Sequence, residues 1–198
     1  MASTRGCELA RKYADFIKSM LKISSDTQRE LGTIFCREDG REELGYTSIG
    51  DETSVKIPSC PPNAESLGTL HTHVDLDFFS SVDYLTFAAK DDEFSCIAYV
   101  GEDGSPYVKC IHRPDNVEEW LEKMDELQKL ELEAETAYRL YENALEEVVS
   151  AIEEEGGIET RPQIVKELRR RLKDAEEKIR KLREKAIELE PNACVVKL

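Results

Sequence analysis

Two of the three histidines in this chain of 198 residues stand one residue apart, in Gly68-Thr69-Leu70-His71-Thr72-His73. Leu67, Leu70 and the threonines predict a strand over 66–72, and residues i and i+2 of a strand face the same side. Both imidazoles therefore project together. Asp83 follows at the start of Val82 to Lys90, a segment whose pattern predicts a helix. Imidazole and carboxylate suit zinc, and three protein ligands leave a fourth position open for water, as catalytic zinc sites do. His71, His73 and Asp83 are thus the candidate ligands for one Zn2+ per chain, and metal-assisted amide hydrolysis is the chemistry they support. The plainer alternative is two strand histidines that only make hydrogen bonds. Ser80 also has two readings, because Ser80-Ser81-Val82-Asp83 is the pattern of a capping box. A carboxylate bound to zinc is not expected to reach back to the cap as well.

His71-Thr72-His73, a loop, then Ser80-Ser81-Val82-Asp83 resembles the signature of the JAMM (MPN-type) zinc metalloproteases, with Gly68 where that family has a glycine before its histidine pair. The resemblance implies zinc on His71, His73 and Asp83, oxyanion stabilisation by Ser80, and an upstream glutamate as general acid/base. Glu30 is the candidate for that glutamate. It also implies isopeptidase activity, releasing ubiquitin or a ubiquitin-like modifier from conjugates or precursors, in a form as compact as an archaeal homologue. Three details depart from the family pattern. The nine residues between His73 and Asp83 are one fewer than usual, and Val74 stands where the family has proline. Gly32 comes two residues after Glu30 rather than three, so Glu30 is expected to need a bulge or a shifted strand start to face the metal.

The elements that must position these residues follow from periodicity. Leu9, Tyr13, Phe16, Ile17, Met20 and Leu21 predict an amphipathic helix over 6–23 that ends at Ser24-Ser25-Asp26. Residues 30–36 predict a strand, Glu38-Asp39-Gly40 a turn, and 42–58 one or two strands broken at Gly50-Asp51. A proline-containing loop over 58–65 precedes the histidine strand. In the loop from Val74 to Phe79, Asp75 and Asp77 read as solvated acids, and Phe78 and Phe79 as plugs of the core. Strands over 94–100 and 106–112, with Glu102-Asp103-Gly104 between them, predict a hairpin. His112, beside Arg113-Pro114, reads as structural or exposed. This order predicts an α/β fold, a mixed sheet with flanking helices over 1–115, and the resemblance implies a JAMM/MPN-like, cytidine-deaminase-like sandwich.

From Asn116 apolar residues recur at spacings of three and four, predicting two long helices over 116–155 and 163–190 joined at Gly156-Gly157 and Arg161-Pro162. Residues 116–198 are therefore expected to form a C-terminal, coiled-coil-like helical hairpin. Its first helix has 14 acidic and 3 basic residues, net −11, and its second has 10 basic and 7 acidic, net +3. Arg169-Arg170-Arg171 reads as a solvated helix face. Self-association, or a proteasome-like partner, through 116–190 is what the resemblance implies for the hairpin. A non-catalytic MPN-like scaffold is the alternative function, and a zinc hydrolase of small molecules a third.

A net charge of −15 argues against nucleic acid, whose phosphates require clustered basic groups. Absence of a long apolar run or a signal-peptide pattern predicts a soluble, cytoplasmic chain without a membrane partner. The six cysteines (Cys7, Cys36, Cys60, Cys96, Cys110 and Cys194) show no C-x-x-C spacing. They read as thiols in a reducing compartment, with neither a disulfide framework nor a structural zinc site. Charged residues at 35% hint at a thermophile.

Overall fold

The computed structural model describes residues 4–155 and 162–198. The chain divides into two units, one made of 4–121 with 190–198, the other of 122–189. The first is an α/β unit. Its elements are α1 (Arg5–Lys12), α2 (Ala14–Thr27), β1 (Leu31–Glu38), β2 (Arg41–Ile49), β3 (Glu65–Thr72), α3 (Ser81–Ala89), β4 (Phe94–Val100), β5 (Pro106–His112), α4 (Val117–Leu121) and, after the second unit, β6 (Cys194–Lys197). The six strands form one mixed sheet in the order β2-β1-β3-β4-β5-β6, parallel only between β3 and β4, where α3 makes the crossover.

Alternation along the strands separates two faces. Phe94, Cys96 and Ala98 of β4 and Val108 and Cys110 of β5 join Leu9, Ala10, Ile17, Met20 and Leu21 of the first two helices in one buried cluster. The residues between them, such as Ser95 and Ile97, point to the opposite face, as His71 does, being paired with Ile97. Near that face Tyr84 and Phe87 of α3 pack edge-on against Trp120, with ring centroids 5.3 and 6.3 Å apart.

Strands β4 and β5 have the predicted bounds, and Gly104 makes their turn with a φ of 73°, a conformation glycine adopts without a Cβ clash. The single helix expected over 6–23 is two helices. Tyr13 leaves the helical conformation, and its hydroxyl donates to the Glu42 carbonyl at 2.9 Å, a tertiary contact that periodicity does not encode. The second helix runs past Ser24-Ser25-Asp26 to Gln28, in the left-handed region with a φ of 53°. Strand β2 ends at Ile49, and residues 50–64 form no strand. Strand β6 was not expected. It adds to β5 in the register Cys110↔Cys194, so residues 190–198 belong to the sheet unit and not to the hairpin. Leading into it, Glu190 accepts from the Lys109 ammonium at 2.8 Å, both side chains under a tenth exposed. Burial raises the Glu190 carboxyl, and Lys109 works against that. Removing one partner of such a pair strands the other charge. Lys109→Met should therefore lose about 3 kcal/mol in urea unfolding at pH 8, and less at pH 4, where Glu190 takes up a proton.

The cysteines correct the expectation of free thiols. Cys7 pairs with Cys194, Cys36 with Cys60, and Cys96 with Cys110, so none is free. Cys96 and Cys110 are Cα partners across β4 and β5, whereas the other two pairs join segments 187 and 24 residues apart. Partners chosen by strand register and by packing leave no local spacing signature. Disulfides persist in oxidising compartments or in proteins of hyperthermophiles, so an ordinary reducing compartment does not fit. The Cys36–Cys60 bridge ties the irregular segment before β3 to β1. Cys60→Ser should cost about 3 kcal/mol through the entropy of the reopened loop, measured by urea unfolding, and should expose residues 50–60 to amide exchange.

The second unit is a pair of helices, α5 (Met124–Glu155) and α6 (Pro162–Glu188); the expected join at 156–161 lies outside the described residues. The helices are antiparallel, because Arg171 reaches the Leu140 carbonyl, Lys178 pairs with Glu133, and Lys185 with Glu126. Buried alanines (Ala134, Ala137, Ala144, Ala175 and Ala186) let the backbones approach closely. The interhelical ion pairs match the opposite net charges, but each exposed pair contributes only about 0–1 kcal/mol. Arg170 and Arg171 both pair with Glu167 on their own helix. Among the described residues no helix is long and apolar enough to cross a membrane.

Candidate metal centre

Strand β3 lies between β1 and β4, with His71 opposite Gly32 on one side and Ile97 on the other. His73 falls just past the end of the strand. Its backbone N–H donates to the Ala98 carbonyl at 2.9 Å, which continues the ladder and keeps its side chain on the face of His71. Both histidines are buried, with ring centroids 4.7 Å apart and Nε2 atoms 2.9 Å apart.

Asp83 arrives from the first turn of α3. That helix starts where it does because of a capping box. The Ser80 hydroxyl accepts from the Asp83 N–H at 3.2 Å, and Asp83 Oδ2 accepts from the Ser80 N–H at 2.8 Å. The same carboxylate lies against both imidazoles, Oδ1 at 3.2 Å from His71 Nε2 and Oδ2 at 3.5 Å from His73 Nε2. The expected conflict between cap and ligand does not arise, because a carboxylate has two oxygens and about four lone-pair directions. The shortened loop still delivers Asp83, anchored by the buried Phe78 and Phe79, the latter packed against Tyr84 with ring centroids 5.6 Å apart and planes tilted by 33°. Asp75 is exposed and Asp77 half-buried, and neither joins the metal-capable group of His71, His73 and Asp83.

Glu30 sits just ahead of β1 rather than inside it. It extends the ladder all the same, its N–H donating to the Asp51 carbonyl at 2.7 Å and its carbonyl accepting from the Gly50 N–H at 2.8 Å. Gly32, two residues on, is the register partner of His71, so Glu30 shares the face of His71 by alternation alone. No bulge is required. The irregularities in β1 come later, at Thr33/Phe35 and Phe35/Cys36. Gly32 has a separate reason for lacking a side chain: a Cβ there would meet Ile57 Cδ1 at 2.5 Å and Val55 at 3.1 Å, closing the room that segment 53–57 occupies beside the site.

The electrostatics divide the two carboxyls. Burial pushes Asp83 up, but the adjacent His71, by charge and hydrogen bond, and His73 outweigh it and hold the group well below the usual carboxylate range. Burial pushes Glu30, only 8% exposed, up to about 7; His73 opposes this, while the Asp83 and Asp51 carboxylates add to it. One carboxyl is therefore held as an anion and the other poised to exchange a proton near neutrality.

With their protons on Nδ1 the two ring Nε2 atoms join Asp83 Oδ1 as three acceptors for a cation, whereas with protons on Nε2 they donate to one another or to Asp83 instead. The set fits a zinc ion, which takes two nitrogens and one oxygen and keeps a fourth position open. A cavity of about 370 Å³ opens beside it, reached by Glu30, His71, Ser80 and Asp83 and walled by Val55 and Val82. Thr69, Ser95 and Lys90 also line it and were not singled out in the sequence. Thr69 was legible, two residues before His71 on the same strand. Ser95 is brought in by the parallel register Thr69↔Ser95, which no local pattern announces. His112 lies apart from this centre as a structural group, its ring bonded to the Gly6 N–H and the Asn192 carbonyl.

Comparison of the chain with protein-family models, with curated proteins and with solved structures finds no match.

Proposed function

We propose that this chain is a zinc-dependent isopeptidase of the JAMM type, with the corresponding MPN-like, cytidine-deaminase-like arrangement of its sheet unit. The observation that carries the reading is the convergence of His71, His73 and Asp83 with Glu30 on the same face. His71, His73 and Asp83 would hold one Zn2+. When bound, zinc polarises the scissile carbonyl and acidifies the attacking water. Glu30, its carboxyl near neutrality, accepts the proton of that water and returns it to the leaving amine. Ser80 donates its one hydroxyl proton to Asp83 Oδ2 at 2.8 Å in the resting site and would have to rotate that proton away from Asp83 to stabilise the developing oxyanion, while its oxygen still accepts from the Asp83 N–H. Substrates are conjugates or precursors of ubiquitin or a ubiquitin-like modifier, and the helical pair serves a protein partner or a second copy. A cytoplasmic location is compatible with three disulfides in a hyperthermophile, the exception to the reducing rule.

The scaffold reading has one observation in its favour. Asp83 is already satisfied by its cap and by the histidines, so the cluster could be structural. Metal analysis of the purified chain, with cleavage of an isopeptide-linked modifier set against small amides, separates the readings. About one zinc per chain and cleavage of the isopeptide alone are expected. A chain that binds no zinc after reconstitution is a scaffold, and one that cleaves only small amides has a different substrate class.

A further inference from the structure

A second group of metal-capable atoms lies on the face of the sheet opposite the histidines. Cys7, Cys110 and Cys194 bring their sulfurs within 4.8 Å of one another, and Cys96 is bonded to Cys110. The arrangement follows from strand register. Cys96↔Cys110 and Cys110↔Cys194 are Cα partners, so three cysteines sit side by side in one row across β4, β5 and β6. Cys7 of α1 completes the group, bonded to Cys194. Cys7, Cys96 and Cys110 are almost fully buried and Cys194 is half-buried.

These segments are held together by more than their disulfides. His112, two residues after Cys110, accepts from the Gly6 N–H at Nε2 (3.2 Å) and bonds the Asn192 carbonyl through Nδ1 (3.0 Å), while its backbone N–H donates to the Pro191 carbonyl at 3.0 Å. One side chain thus ties the residue before Cys7 to the lead-in of Cys194. Gly6 permits the close approach, since a Cβ there would lie 2.8 Å from Cys110 Cβ and Sγ. Opening the disulfides would leave three sulfurs within 4.8 Å of one another and a fourth, Cys96, beside Cys110 on the adjoining strand.

We propose that the reduced chain binds a thiophilic divalent cation, such as zinc, on Cys7, Cys96, Cys110 and Cys194. The same four sulfurs then fasten α1 and β6 to the sheet either as two disulfides or as a tetrahedral thiolate centre. Each disulfide takes two electrons and two protons from a dithiol, which ends as a disulfide, or two electrons from a phosphine, which ends as a phosphine oxide with one water supplying the oxygen and both protons. The four thiols give up four protons as the cation binds. Ligands at about 2.3 Å from a tetrahedral zinc lie about 3.8 Å from one another; the Cys7, Cys110 and Cys194 sulfurs already lie within 4.8 Å, and Cys96, once freed from Cys110, must turn in from the neighbouring strand as the fourth ligand. The centre depends on no property of the histidine site.

Cobalt titration tests this directly, because thiolate ligands give Co2+ an intense near-ultraviolet charge-transfer band that imidazole and carboxylate do not. The full chain is reduced without oxygen by a phosphine, stripped of metal with a chelator, desalted and titrated with Co2+. The band should appear in the reduced chain, saturate at one equivalent beyond any taken by the histidine site, and be absent from the oxidised chain. It should vanish in Cys110→Ser and in the less buried Cys194→Ser, and persist in a Cys36→Ser/Cys60→Ser variant. A reduced native chain that gives no band, whether it keeps its near-ultraviolet circular dichroism or fails to regain it on adding Co2+ or Zn2+, overturns the proposal. So does a band that follows Cys36 and Cys60. Metal bound by the oxidised chain reports the histidine site alone, which keeps the two assignments separable.

Discussion

Glu30→Gln should lower isopeptide cleavage by about 10³-fold while leaving metal content unchanged, because general acid/base groups contribute roughly 10²–10⁴ and glutamine can neither take nor return a proton. The substitution should also make the protein more stable, and in a pH-dependent way. The native carboxyl is raised to about 7 by burial, so the folded state holds its proton more tightly than the unfolded chain does. The stabilisation from that proton is complete below about 4.5 and is lost as pH climbs through about 7. A shift of this size is worth about 3 kcal/mol, discounted to about 2 for the relaxation of a site that opens onto a cavity. In chelated protein the Glu30→Gln variant should therefore match the native chain at pH 4 and exceed it by about 2 kcal/mol at pH 8. Urea unfolding at the two pH values measures the difference. A gap independent of pH would show that Glu30 is not a buried, raised carboxyl. On the proposed reading, a cation beside His73 in metal-loaded protein would favour the carboxylate, so the rising limb of activity should fall at or below pH 7, and disappear in Glu30→Gln.

Asp83 should separate two roles that share one side chain. Asp83→Asn keeps an oxygen to accept from the Ser80 N–H, so α3 keeps most of its cap, but the anion facing His71 and His73 is gone. Zinc affinity should drop by more than about 100-fold, with stability of the chelated protein within about 1 kcal/mol of native. Asp83→Ala removes the cap partner too and leaves the Ser80 N–H without its acceptor. It should lose metal to the same extent and a further 1–2 kcal/mol or so. Isothermal titration with Zn2+ and urea unfolding of both variants give the four values. Unchanged zinc affinity in Asp83→Asn would move the third ligand elsewhere and sink the metal centre as drawn.

Local patterns carried a good part of this molecule. The two-residue repeat that sets His71 and His73 on one face, the capping box that starts α3 at Ser80, and the turn at Gly104 with its flanking strands are all decided within a few residues, by sterics and short-range hydrogen bonds. The charge difference between the two long helices likewise reappears as Lys178–Glu133 and Lys185–Glu126. What sequence reasoning could not supply was register. Whether Glu30 shares the face of the histidines depends on Gly32 lying opposite His71, a pairing across 39 residues, and not on the spacing of Glu30 from its own glycine. The three disulfides depend on which strands become neighbours, and β6 exists because β5 presents an open edge that residues 194–197 can complete. Sequence by itself determined the candidate ligand types, their common face and the helical character of the C-terminal region. Tertiary structure alone decided which distant residues join them, because strand order and packing bring together groups whose separation along the chain carries no signal.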